Sequence, residues 1–142
     1  SADDLGNAKT IIELMQKTYH TPLIIQEYIS QISQGDKRVI LFDGKPVGAV
    51  NRVPNENSNS ANFHAGGGAQ KTILSKRDLE ICQIIAPYLQ ENGLFFVGID
   101  IIGDYLTEIN VTSPTGIQEI DRLDKVNLSK EFWELVNKKY FI

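Results

Sequence analysis

A chain of 142 residues, 42% hydrophobic and 23% charged, is long enough to bury one ordinary core and has the balance of a soluble globular domain. Its net charge of −4, with Lys and Arg scattered and no aromatic residues interleaved among them, argues against nucleic acid as a partner. No apolar run approaches a membrane span and no signal peptide stands at the start, so the expectation is a cytoplasmic protein with no membrane partner.

Ser1-Ala2 precede an acidic pair with no initiator Met, and read as a cloning remnant ahead of residues 3–142. Leu5, Ala8, Ile12, Met15 and Tyr19 recur at helical steps and predict a first helix with one core-facing stripe. Asp3 and Asp4 suit its N-terminus. His20-Thr21-Pro22 ends it, and His20 reads as a surface residue. Leu23–Ile29 is strand-like, and Ser30–Lys37 is a loop. Arg38–Phe42 and Pro46–Val53 predict a hairpin across Asp43-Gly44-Lys45. That pairing brings Arg38 and Arg52 to one end of the sheet. Two guanidiniums there could clamp a phosphate or carboxylate, or each could be a solvated strand-end charge.

Pro54–Ala69 is a long polar loop containing Asn62, His64 and Gly66-Gly67-Gly68. Such loops are lids or disordered segments, and the glycines could let backbone amides approach an anion. No strand-then-helix context surrounds the glycines, so no dinucleotide or P-loop fingerprint is present. Ser75 and Asp78 have the spacing of a helix cap. The helix that follows carries Ile81, Cys82, Ile85, Tyr88 and Leu89 on one face, with Pro87 expected to kink or shorten it and Gly93 to end it. Cys82, the single cysteine, reads as packing rather than as a nucleophile. A last helix spans Ser129–Tyr140, with Phe132, Leu135 and Val136 inward. The sum is an α+β chain: a mostly antiparallel sheet with helices packed on one face.

Between those helices lie two apolar runs, Leu94–Ile102 and Tyr105–Val111, flanking the turn pair Gly103-Asp104. Glu108 and Asn110 project on one side of their strand, and Asp100 on the partner strand could face them. Two carboxylates and an amide oxygen are hard donors of the kind that hold Mg²⁺ together with substrate phosphates. A buried salt bridge or a surface-facing pair would use the same residues. The turn-rich stretch Thr112-Ser113-Pro114-Thr115-Gly116 follows directly and could hold a second ligand.

The run Phe96–Asp104, with Leu106-Thr107-Glu108-Ile109-Asn110-Val111-Thr112-Ser113-Pro114-Thr115, resembles the C-terminal signature of bacterial glutathione synthetase, an ATP-grasp ligase. The resemblance extends upstream through Asp36-Lys37-Arg38, Asp43-Gly44-Lys45-Pro46, Arg52-Val53-Pro54, Asn62 and Ala65-Gly66-Gly67, covering roughly Ile24 to Glu119. It implies that Asp100, Glu108 and Asn110 hold Mg²⁺, with Mn²⁺ as an alternative, against the phosphates of ATP. It implies that Gln26, Glu27, Tyr28 and Ile29 hold the adenine edge and that Asp36 sits near the ribose. Arg38 and Arg52 would hold the transferred phosphoryl group and the acyl phosphate. Asn62, Gly66 and Gly67 would belong to the closing loop, and Asn110, Ser113, Thr115 and Gly116 to the acceptor side.

The implied reaction joins γ-glutamylcysteine and glycine through an acyl phosphate, giving glutathione, ADP and phosphate, in a full-length enzyme that is a homo-oligomer. The family's N-terminal domain and glycine-rich phosphate loop have no counterpart here, so this chain is expected to be inactive alone. The family's loop also carries Gly-Glu-x-Arg-Gly before its Asn, where this chain has Asn57-Ser58-Asn59-Ser60-Ala61. Gly116 also stands where the family often has another residue. An ATP-grasp ligase for another acid and amine, or a nucleotide-binding module without catalysis, are the alternatives.

Overall fold

The computed structural model describes residues 2–54 and 68–141. Among the described residues, five strands form one sheet: β1 (Asp36–Phe42), β2 (Lys45–Val53), β3 (Gly68–Lys71), β4 (Phe96–Ile102) and β5 (Tyr105–Asn110). Their order is β3-β2-β1-β4-β5, and every neighbouring pair is antiparallel. The α-helices among the described residues are α1 (Ala2–Tyr19), α2 (Lys76–Glu91), α3 (Ile117–Asp124) and α4 (Leu128–Tyr140). Among the described residues, no helix is long and apolar enough to cross a membrane.

The antiparallel α+β arrangement agrees with the sequence, but the helices do not share one face. Alternation along β1 splits the core in two. Val39 and Leu41 pack with Val97, Ile99 and Ile101 against Ile81, Cys82 and Leu89 of α2. Ile40, Phe42 and Val50 face the other way, against Ile120 of α3 and Leu128 of α4. Gly48 makes that second contact possible, because a Cβ there would stand 2.7 Å from Ile120 Cγ2. The expectation of one covered face fails because α2 and α4 pack on opposite faces of the sheet, with α3 beside α4.

Helix α2 begins at a complete capping box, in which Ser75 Oγ accepts from Asp78 N (3.1 Å) and Ser75 N donates to Asp78 Oδ2 (2.7 Å). Asp78 is fully buried and also accepts from Lys37 Nζ. Pro87 does not shorten the helix, which runs on to Glu91. Its end is a Schellman motif: Leu94 N donates to Leu89 O (2.8 Å), Gly93 N donates to Gln90 O (3.1 Å), and Gly93 has φ 66°. Burial pushes the Cys82 thiol up to about 11, as suits a packing cysteine. Tyr88, expected on the inner face, is exposed.

Two further expectations are corrected. Leu23–Ile29 has strand-like composition but pairs with no strand among the described residues and runs as irregular chain into a 3-10 turn at Ser30–Gln34. The third strand on that side is β3, after the long loop. In α1, Ala8, Met15 and Tyr19 are exposed and Ile12 is only half-buried, so the stripe read as core has no covering partner among the described residues.

Candidate active site

One face of the sheet changes character along its length. At one end Ile40, Phe42 and Val50 lie under α3 and α4. At the other end the same alternation places Asp36 and Arg38 on β1, Arg52 on β2, and Asp100 on β4. The register sets Asp36 opposite Arg52, Arg38 opposite Asp100, and Asp100 opposite Glu108 of β5. Asn110 follows on the Glu108 side, opposite Gly98. Four strands thus gather two guanidiniums, three carboxylates and an amide on one face.

Two bulges make this possible. In β2 the register shifts between Ile40 and Leu41 of its partner, so Val47 is skipped. In β5 it shifts between Asp100 and Ile101 of its partner, so Thr107 is skipped. Thr107 Oγ1 donates to the Asp100 carbonyl (3.1 Å), tying the second bulge to the residue it displaces.

The charges are buried and paired. Arg38, Arg52 and Asp100 are 6%, 3% and 3% exposed. Arg38 grips Asp100 with both edges of its fork, Nε to Oδ1 (2.5 Å) and Nη2 to Oδ2 (2.9 Å). Arg52 Nη2 also reaches Asp100 Oδ2 (2.9 Å) and donates to Asp36 Oδ2. Burial would raise the Asp100 carboxyl, but the two guanidiniums bonded to it hold it below the usual range. At Asp36 burial wins over Arg52, and the carboxyl is pushed up to about 6. Glu108 is exposed, in contrast.

The loop after β5 closes over Arg38. Pro114 and Gly116 are buried, while Ser113 and Thr115 are exposed. Arg38 Nη1 donates to the Thr115 carbonyl (3.2 Å). Gly98 lets this loop approach the sheet, since a Cβ there would stand 2.6 Å from Pro114 Cβ. Gly116 is the N-cap of α3, with φ 123°. Beyond the β4–β5 turn end of the sheet lies a cavity of about 810 Å³. Gln26 to Ile32 line one wall, and Ile102 with Tyr105, Leu106 and Thr107 the other.

Residues 2–125 match the family model described as prokaryotic glutathione synthetase, ATP-grasp domain. The chain belongs to this family. It is 48% identical over 133 residues to a protein of Mesorhizobium japonicum named glutathione synthetase, covering 94% of this chain and 42% of that protein. A glutathione synthetase of Agrobacterium fabrum is 48% identical over 139 residues, 98% of this chain and 44% of its own length. One of Synechocystis is 46% identical over 125 residues, 88% of this chain and 39% of its own. The chain therefore spans about two fifths of the length of the curated relatives it matches.

Most of the residues singled out by the glutathione synthetase resemblance come together. Arg38, Arg52, Asp100, Glu108 and Asn110 share one face, and Gln26–Ile29 line the cavity beside it. Asp36 is not among the residues lining that cavity, and its carboxylate is engaged by Arg52 in the buried network. The arginines are neither solvated strand ends nor an open clamp, because both close on Asp100. Asn62, Gly66 and Gly67 lie outside the described residues, as does His64. Sequence reasoning missed the Thr115 carbonyl, and no side-chain signal could have found a backbone acceptor.

A divalent metal implied by the family can be tested against this donor set. Among the described residues there is no group of three or more His, Cys, Asp or Glu suited to a metal. What Asp100, Glu108 and Asn110 offer is two carboxylates and an amide. The Asn110 Nδ2 position is buried with no hydrogen-bond partner, and an amide turned over would present its oxygen there. Mg²⁺ is commonly bound by one or two carboxylates plus water and phosphate oxygens, so the set fits.

Proposed function

We propose that this chain is the C-terminal part of the ATP-grasp domain of a glutathione synthetase, a ligase that joins γ-glutamylcysteine and glycine at the expense of ATP. The observation that carries the reading is the gathering of Arg38, Arg52, Asp100, Glu108 and Asn110 on one sheet face, beside the cavity walled by Gln26–Ile32. In this reading Gln26, Glu27, Tyr28 and Ile29 hold the adenine of ATP in that cavity. Asp100, Glu108 and Asn110 hold Mg²⁺, or Mn²⁺ in its place. When bound, the metal neutralises phosphate charge as it moves during transfer. Arg38 and Arg52 take the transferred phosphoryl oxygens and then the acyl phosphate. Asn110, Ser113, Thr115 and Gly116 line the acceptor side, and Asn62, Gly66 and Gly67 belong to the loop that excludes water.

The γ-glutamylcysteine carboxylate attacks the γ-phosphate, releasing ADP and forming an acyl phosphate. The glycine amine attacks that carbonyl, and phosphate leaves. No protein nucleophile is needed, so the residues act by orientation and charge. The 142-residue chain is inactive alone, and ATP-dependent ligation by it would refute that. The parent enzyme is a cytoplasmic homo-oligomer. Asn57-Ser58-Asn59-Ser60-Ala61, which lacks the family's loop Glu and Arg, favours as second reading a ligase of the same mechanism for another acid and amine.

The test is Glu108→Gln in the full-length protein. Turnover should be abolished with the fold retained by circular dichroism. Near-normal rates at saturating Mg²⁺ would overturn the metal assignment. Substrate profiling of the same protein separates the two readings.

A further inference from the structure

Asp100 is gripped by two guanidiniums at once. Oδ1 accepts from Arg38 Nε, and Oδ2 accepts from both Arg38 Nη2 and Arg52 Nη2. A carboxylate has about four lone-pair directions, so three are already taken. The guanidiniums facing it are the groups proposed above to grip a phosphoryl anion. Neither can do so with the same donors while they hold Asp100. Glu108, directly across the strand pair, is exposed and carries the same charge without this grip.

We propose that Asp100 is a built-in stand-in for the phosphoryl anion, one that occupies the Arg38 and Arg52 donors until the nucleotide and its cation arrive together. This rests on the metal and phosphate roles given under Proposed function. When a phosphoryl group enters, its oxygens replace Asp100 on the two arginines, and Asp100 turns its freed lone pairs to the cation. Charge stays balanced throughout. Before the exchange the two guanidiniums face Asp36 and Asp100. After it they face the incoming anion, and Asp100 faces the incoming cation. A cation alone would take from Arg38 its carboxylate partner and leave Arg52 with Asp36 alone, and an anion alone would strand the buried Asp100 carboxylate. Each loss is costly at this burial, so each ligand binds weakly without the other.

The test separates this grip from a general field. Inorganic pyrophosphate is titrated in EDTA, by calorimetry, into the 142-residue chain and two variants that each lose one negative charge. Asp100→Asn removes the stand-in and should tighten metal-free pyrophosphate binding about tenfold, within the usual range for coupled sites. Glu108→Gln should change it by less than about twofold, because exposed charges are screened. Equal effects of the two variants, or no gain in Asp100→Asn, would overturn the proposal.

A second measurement on the unmodified chain covers the case in which Asp100→Asn does not fold. The Arg38 Nε–H resonance, held by Asp100 Oδ1, should move and exchange faster with solvent when Mg²⁺ and pyrophosphate are added together. It should move little with either alone. An unmoved Arg38 signal alongside a shifted Glu108 carboxyl resonance would sink the exchange and leave the metal site standing. An unmoved Glu108 resonance would sink the metal reading and the exchange with it.

Discussion

Replacing Arg38 by Met removes two bonds to Asp100 and one to the Thr115 carbonyl while keeping much of the apolar stem. Asp100 keeps Arg52 but loses the fork that spans both of its oxygens. An exposed pair lost in this way would cost at most about 1 kcal/mol. Breaking a buried pair costs about 3–5 kcal/mol, because the remaining charge has little water to turn to. With Arg38 and Asp100 both almost fully inaccessible, the second figure applies. A urea slope of about 2 kcal/mol per molar converts it into a midpoint lowered by roughly 2 M. The assay is a double-mutant cycle in urea with Asp100→Asn as the partner change. Asp100→Asn in the Arg38→Met background should recover much of the loss, giving a coupling energy of about 2 kcal/mol or more. A coupling below about 0.5 kcal/mol would show that the pair behaves as a surface ion pair, and the argument from burial would fail.

Gly98→Ala should cost about 1–3 kcal/mol in urea melts, because the new methyl meets the Pro114 ring, which must move with its loop; an unchanged midpoint would contradict the close approach. Carbon-13 NMR of the carboxyl groups should show Asp36 titrating at about 6, against 3.8 for the unperturbed group. The folded state then holds this proton more tightly than the unfolded chain. The Asp36 contribution to stability is therefore full below about 4, falls as pH rises to about 6, and is absent in Asp36→Asn; a midpoint at or below 4 would refute it. Amides of α1 should exchange with solvent far faster than those of α2, because α1 leaves Ile11, Leu14 and Tyr19 exposed whereas α2 buries Ile81, Cys82 and Leu89. Equal protection of the two helices in hydrogen exchange would count against that difference.

What the sequence discloses is mostly what is local. Asp43-Gly44 and Gly103-Asp104 mark both hairpins, and Ser75 with Asp78 marks the start of α2. Each works through atoms a few residues apart. The short helix α3 was missed although Ile117, Ile120 and Leu123 recur at three-residue steps. Eight residues give too few turns for periodicity to stand out, and Pro114 and Gly116 just before them read as loop. Leu23–Ile29 failed in the other direction. Its composition suits a strand, but a strand needs a neighbouring edge, and this stretch instead walls the cavity beside β5. The pairing of Asp36 with Arg52 and of Arg38 with Asp100 was hidden because it joins residues 16 and 62 positions apart.

The bulges explain why the site residues were legible as types and not as an arrangement. Side chains in a strand alternate strictly, so a one-residue change of register exchanges the two faces. In the first hairpin Leu41 opposes Pro46 while Ile40 opposes Gly48. Without the skipped Val47, Asp36 would oppose Asn51, and Arg52 would point into the α2 side. In the second hairpin Ile101 opposes Leu106 while Asp100 opposes Glu108. Without the skipped Thr107, Asp100 would oppose Thr107, and Glu108 would turn away from it. Both hairpins would still form, with the same turns and nearly the same hydrogen bonds. One guanidinium, one carboxylate and the Asn110 amide would be lost from the face that carries the chemistry. The apolar core tolerates the shift because Val47 still packs against the Ile40–Phe42 layer, and the Thr107 hydroxyl donates to the Asp100 carbonyl across the bulge. Two single-residue irregularities, each stabilised by its own side chain, thus convert an ordinary antiparallel sheet into one with a charged, functional end.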